Sequence, residues 1–143
     1  MPAAGPAAGE KEVVFQAIAE VQQRITGAYS AVAVTPSGLY AFRDPHGIRP
    51  LVLGERGDDG NREYMVASES VALDALRFRR LRDVKPGECV YIENDGILNT
   101  RDYPGETRHT PCIFEHVYFA RPDSKLGGVA VHAARRRMGE ELA

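Results

Sequence analysis

Tryptophan is absent from the 143 residues, and only two cysteines and three methionines occur. Two cysteines, Cys89 and Cys112, cannot make a disulfide framework, so burial and hydrogen bonding must hold the fold in a reduced compartment. No run approaches the ~18 apolar residues of a spanning helix, and no signal-peptide pattern precedes a cleavage site. A soluble cytoplasmic chain with no membrane partner is expected. Neither sign of charge dominates: 18 Lys and Arg against 20 Asp and Glu leave a net −2. That balance gives no electrostatic reason to expect nucleic acid. The short basic run Arg135-Arg136-Arg137 is followed at once by Glu140 and Glu141 and reads as a solvated helix face. What is present, 43% hydrophobic and 27% charged residues, is the mixture of one globular domain able to bury a core.

The lead-in, residues 1–9, is low-complexity Pro, Ala and Gly and is expected to be disordered. From Glu10, Val14, Ile18, Val21 and Ile25 recur at helical spacing, with Gly27 as the stop. Residues 28–35 are apolar on both alternating faces, which predicts an interior strand covered on both sides. Pro36-Ser37-Gly38 turns the chain back into a strand over 39–42. Strands are further predicted over 51–53, 64–67, 78–84, 88–93 and 97–100, with an exposed loop over 55–63. Ser68 or Ser70 is expected to cap a short, mostly buried helix over 71–76. The Gly-x-Ser-x-Gly flanks of a nucleophile elbow are missing there. After a polar connection over 103–110, the run 112–120 fits a strand or a buried helix; Pro111 favours the helix. Gly127-Gly128 reads as a turn before a last amphipathic helix carrying Val131, Ala134, Met138 and Leu142. A strand-rich middle between helices predicts an α+β fold with a layered sheet core.

Between the strands ending at Phe42 and beginning at Leu51 lies Arg43-Asp44-Pro45-His46-Gly47-Ile48-Arg49-Pro50. Two prolines and a glycine fix a stiff turn. It holds Arg43, Asp44, His46 and Arg49 together, as a site or as a structural turn with an Asp–Arg pair.

Three blocks, AFRDPHGIRPLVLG (41–54), YMVASESVALDAL (64–76) and PCIFEHVYFARPDS (111–124), together with RDVKPGECVYI (82–92), closely resemble amidophosphoribosyltransferases. The similarity runs from about Phe15 to the end of the chain. The resemblance implies part of an αββα glutaminase domain with an N-terminal nucleophile over 10–110. Over 111–143 it implies the interdomain segment, with short helices, and the start of a phosphoribosyltransferase domain. The implied reaction converts glutamine, phosphoribosyl pyrophosphate and water to phosphoribosylamine, glutamate and pyrophosphate, with magnesium, at the head of purine synthesis. A homo-oligomer is implied as well.

The glutaminase step needs a cysteine whose own α-amine is the base, whereas this chain opens Met1-Pro2 and Cys89 and Cys112 are internal. The transferase step needs a phosphate-binding loop, which no stretch of the chain supplies. The expectation is an incomplete enzyme, inactive alone, with no catalytic residue of its own. The rival is a non-catalytic module that pairs with a complete enzyme or with itself. By resemblance Phe114 and Tyr118, i and i+4 on one helix face, wall the ammonia channel; core packing is the alternative for both. His116 stands where the family more often has tyrosine. In one branch of the family a cysteine at the position of Cys112 ligates a [4Fe–4S] cluster whose other ligands lie far downstream. A local alternative sets His109, Cys112 and His116 around zinc, and a buried free cysteine is the third reading.

Overall fold

A computed structural model describes residues 8–58 and 60–143. Residues 1–7 of the expected lead-in lie outside the described residues; Ala8 and Gly9 already belong to helix α1 (Ala8–Arg24). Of the predicted stripe, Ile18 is buried and Val14 packs against the core, but Val21, and Ile25 just past the helix, are exposed, and the buried face is completed by Phe15 and Gln22. Two contacts set that rotation. The Phe15 ring meets Tyr40 and Tyr91 edge-on at 5.5 and 6.2 Å. The Gln22 amide donates to the carbonyls of Arg43 and Gly87, each at 3.0 Å. Buried carbonyls need donors, so a polar residue takes the place an apolar one was expected to fill.

Strands β1 (Ser30–Thr35), β2 (Gly38–Arg43), β3 (Val52–Arg56), β4 (Glu63–Ala67) and β5 (Arg79–Asp83) follow in order, with helix α2 (Ser70–Ala75) before β5. Then come β6 (Cys89–Glu93) and β7 (Leu98–Arg101). They form two antiparallel sheets, β1-β2-β6-β7 and β4-β3-β5. The period-2 alternation of strands decides the packing. Tyr40 and Phe42 of β2, with Cys89 and Tyr91 of β6, meet Phe15 and Ile18 of α1. Ala41 and Val90 point the other way and join Leu51, Leu53 and Val84, with Tyr64, Val66 and Leu81, in a core between the sheets. Each fully buried valine or leucine in these clusters stabilises the fold by about 1.5–3 kcal/mol. On the second sheet Gly54 gives α2 its close approach, since a Cβ there would stand 2.9 Å from Leu73 Cδ2.

Strand β1 departs from expectation. It is an edge strand, and Val32 and Val34 are 54% and 78% exposed. The apolar alternation was legible; what it could not show is that the core between the sheets gathers residues of β2 and β6 and none of β1.

The C-terminal part begins with a π-helical turn over Glu115–Phe119. Its helical character matches expectation, but its burial is inverted. Ile113, Phe114, Val117, Tyr118 and Phe119 are exposed, while Glu115 and Ala120 are buried. Strands β8 (Lys125–Leu126) and β9 (Val129–Ala130) form a small hairpin. Its two-residue turn puts Gly127 and Gly128 at φ +55° and +80°, which glycine adopts without strain. Helix α3 (Val131–Leu142) packs Val131 against Leu126 and Ala120, also buries Ala134, and leaves Leu142 exposed. Among the described residues no helix is long and apolar enough to cross a membrane.

Candidate functional site

The stiff turn between β2 and β3 is the organising element. Asp44 is fully buried, and its carboxylate accepts the backbone N–H groups of His46, Ile48 and Arg49 at 3.0, 3.1 and 3.1 Å. Its own N–H donates to the Tyr29 carbonyl. Beside it the buried Arg43 guanidinium donates to the carbonyls of Arg49, Gly47 and Val84 at 2.6–2.7 Å. Burial lowers the Arg43 pKa, with Asp83 and Asp44 acting the other way. The pair predicted from sequence therefore works through the backbone: a carboxylate collects donors, a guanidinium collects acceptors, and the loop between them is locked. Gly47, at φ +58°, is required twice over, because a Cβ there would stand 2.8 Å from Pro86 Cγ.

The polar connection is laid along this turn. Arg108 and Thr110 donate backbone N–H groups to the carbonyls of Pro45 and His46. From the turn, Arg49 forms an ion pair with Glu115, and its guanidinium lies 6.0 Å from the Phe119 ring centroid. A buried carboxylate is tolerated only when paired. Holding Glu115 inward is what turns its apolar neighbours outward. The Ala120 N–H donates to the Glu115 carbonyl, five residues back, and Arg135 donates to the carbonyls of His116 and Ala120 at 2.7 and 2.8 Å.

A second tie comes from Ser68-Glu69-Ser70. Neither serine caps α2: the N-cap residue is Glu69, with no side-chain cap bond, and Ser68 is exposed. Instead Glu69 Oε2 accepts the Ser124 hydroxyl at 2.7 Å and the Arg121 N–H at 2.8 Å, while Ser70 Oγ accepts the Lys125 N–H at 2.9 Å. The start of α2 is thus a receptor for the loop 121–125.

Between the turn and the C-terminal part lies a cavity of about 210 Å³. Ile48, His109, Cys112, Glu115, His116 and Leu126 are among its lining residues. Phe114 and Tyr118 do not line it; both rings face outward, 58% and 76% exposed. The five-residue step of the π turn gives Phe114 a different partner, Phe119, at 6.5 Å between centroids. Phe119 and the Arg49–Glu115 and Glu69–Ser124 ties escaped the sequence reading. The signal available for Glu115 was an acid inside an otherwise apolar run.

Cys112 is half-buried on the cavity wall. The zinc reading is corrected: among the described residues no three His, Cys, Asp or Glu side chains stand together as metal ligands. Cys89 lies apart, under α1. Burial pushes the Cys89 thiol up to about 12, so it carries no thiolate near neutrality.

No family model matches the chain. Curated relatives named amidophosphoribosyltransferase do. The protein from Pseudomonas aeruginosa is 52% identical over 93% of this chain and 27% of its own length. That from Escherichia coli K12 is 55% identical, again over 93% and 27%. That from Schizosaccharomyces pombe is 44% identical over 91% and 27%. A solved B. subtilis glutamine phosphoribosylpyrophosphate amidotransferase, complexed with ADP and GMP, superposes with a TM-score of 0.80 at 32% identity. It is matched over 97% of this chain and 28% of that one. A structure described as the allosteric regulatory enzyme of purine biosynthesis gives 0.81, at the same identity. The chain spans about a quarter of the length of the curated relatives it matches.

Proposed function

We propose that this chain, related along nine-tenths of its length to amidophosphoribosyltransferases, is the part of such an enzyme that joins its two chemistries and performs neither. In this reading residues 10–110 belong to a glutaminase domain of the αββα, N-terminal-nucleophile kind, and 111–143 open the junction with the phosphoribosyltransferase domain. The packing of α1, two sheets and α2 supports it. The complete enzyme would take glutamine and phosphoribosyl pyrophosphate to phosphoribosylamine, glutamate and pyrophosphate in the cytoplasm, as a homo-oligomer. Magnesium would bind outside these residues, and a [4Fe–4S] cluster would draw at most Cys112 from them.

One observation carries the proposal: the blocks that resemble the family are bonded to one another across long sequence separations. The turn 43–51 reaches the segment 111–124 through Arg49 and Glu115, and the block 64–76 reaches it through Glu69 and Ser70. Such ties hold the junction to the glutaminase side while the aromatic rings of Phe114 and Tyr118 remain outward to wall a passage for ammonia. Aromatic walls suit that task because they exclude water. In this reading the isolated chain is catalytically silent, because Cys89 and Cys112 are internal and neither carries the free α-amine that the glutaminase step needs as its base.

A segment exchange tests this. Replacing the matching segment of an amidophosphoribosyltransferase with this chain should preserve glutamine-dependent phosphoribosylamine formation. Tyr118→Ala in that hybrid should raise glutamate released per phosphoribosylamine formed while leaving ammonia-dependent synthesis intact. A hybrid without glutamine-dependent synthesis, or a Tyr118→Ala hybrid with unchanged coupling, refutes the reading.

A further inference from the structure

Two arginines from different elements clamp the turn 115–119, one through a side chain and one through backbone. Arg49 pairs with the Glu115 carboxylate. Arg135 of α3 donates from Nε to the His116 carbonyl at 2.7 Å and from Nη2 to the Ala120 carbonyl at 2.8 Å. Val131 packs against Ala120 and Leu126, and Arg135 follows one turn later on the same side of α3. The His116 carbonyl is the acceptor that the Ala120 N–H would take in an α-helix, four residues back. Here that N–H goes one residue further, to the Glu115 carbonyl at 2.9 Å. The π turn thus takes from His116 the donor an α turn would give it, and a carbonyl left unpaired costs free energy. A guanidinium is a charged donor, stronger than the amide it replaces. Arg135 therefore fills the bond that the α register would need. The register in turn decides which rings meet. Phe119 lies against Phe114 and Tyr118, at 6.5 and 5.7 Å between centroids, whereas α-helical spacing would set Phe114 against Tyr118.

We propose that Arg135 is a positioning residue that selects the π register of 115–119 and thereby places the rings of Phe114 and Tyr118. Without its guanidinium the Ala120 N–H returns to the His116 carbonyl, and the turn tightens to an α-helix. Phe114 then leaves Phe119 for Tyr118. The step from ring placement to ammonia transfer rests on the function proposed above; the step from Arg135 to the register does not.

Couplings measured by NMR through hydrogen bonds read the register of the 143-residue chain directly. In the unmodified chain the Ala120 N–H should couple to the Glu115 carbonyl and the Arg135 Nε–H to the His116 carbonyl. In Arg135→Met the Ala120 coupling should be lost at Glu115 and appear at His116, with circular dichroism showing that the fold is kept. Arg136→Met, at an exposed guanidinium paired with Glu140 on the same helix, should change neither. In the hybrid enzyme described above, Arg135→Met should raise glutamate released per phosphoribosylamine formed, and Arg136→Met should not. An Ala120 coupling that stays at Glu115 in Arg135→Met overturns the proposal. So does a shifted register that leaves this ratio unchanged in a hybrid whose Tyr118→Ala variant raises it. If Tyr118→Ala itself leaves the ratio unchanged, the passage reading fails, and the NMR result alone upholds or overturns the role of Arg135 in the register. Should Arg135→Met not fold, the unmodified chain decides: a coupling from Arg135 Nε–H to the His116 carbonyl supports the proposal and its absence overturns it.

Discussion

Asp44 bears the turn on which the site depends, and two substitutions separate what its carboxylate does. Asp44→Ala removes the acceptor of three backbone N–H groups inside a buried turn. An unsatisfied buried donor costs about 1–3 kcal/mol, partly recovered if water enters, so a loss of about 3–5 kcal/mol is expected. Asp44→Asn is subtler. The bonds from His46 and Ile48 both end on Oδ1, which an asparagine oxygen can replace. The bond from Arg49 ends on Oδ2, where an amide would set N–H against N–H. One lost bond predicts about 1–3 kcal/mol, or roughly 2–12 °C in Tm at 2–4 °C per kcal/mol. Urea titration followed by circular dichroism gives the free energies, and amide exchange at Arg49 gives the local effect. The asparagine variant should be clearly the more stable of the two and should exchange fastest at Arg49. Equal losses for both variants, or less than about 0.5 kcal/mol for alanine, would show that the turn is held by something else.

Arg49→Met should destabilise by about 2–3 kcal/mol by stranding the buried Glu115 carboxylate, and Arg49→Met with Glu115→Leu should restore much of it, as read from urea midpoints. Glu69→Ala should leave the global midpoint lowered by only about 1–2 kcal/mol while speeding amide exchange at Arg121, whose N–H loses its acceptor; unchanged exchange there would count against the tie. Native-state alkylation near neutral pH, read by mass spectrometry, should modify Cys112 and spare Cys89. The same burial fixes a pH dependence. Cys89 rises from 9.0 to about 12 and Tyr40 from 10.0 to about 12, so the unfolded chain releases these protons first. Stability is then intact below pH 9 and falls as pH climbs toward about 12, and a flat urea midpoint across that window would contradict it.

Local signals carried much of the fold. Glycine and proline turns placed Gly127-Gly128 and the 43–51 loop correctly, because their backbone demands are local. Strands over 39–42 and 88–93 were legible as such, and the structure then sets Tyr40 and Tyr91 on the face opposite Ala41 and Val90. Failures came where a distant group decided the outcome. Gln22 is buried because carbonyls at Arg43 and Gly87 need a donor, and α1 turns accordingly. The run 112–120 reads as apolar all round, yet the ion pair from Arg49 selects which side faces inward. Ser68-Glu69-Ser70 has the composition of a helix cap, and only the arrival of 121–125 makes it a receptor. At the site, the charged turn was legible as a locked structure, whereas the π turn moved Phe114 from Tyr118 to Phe119, a one-residue change of register that composition does not encode.

The role proposed for these residues is to hold and connect, with cleavage and transfer carried out elsewhere in the enzyme. The most direct measurement incubates the purified 143-residue chain with glutamine, and separately with phosphoribosyl pyrophosphate, magnesium and ammonia, and follows glutamate and pyrophosphate by mass spectrometry. Neither product should rise above a protein-free blank; sustained turnover of either refutes the proposed role.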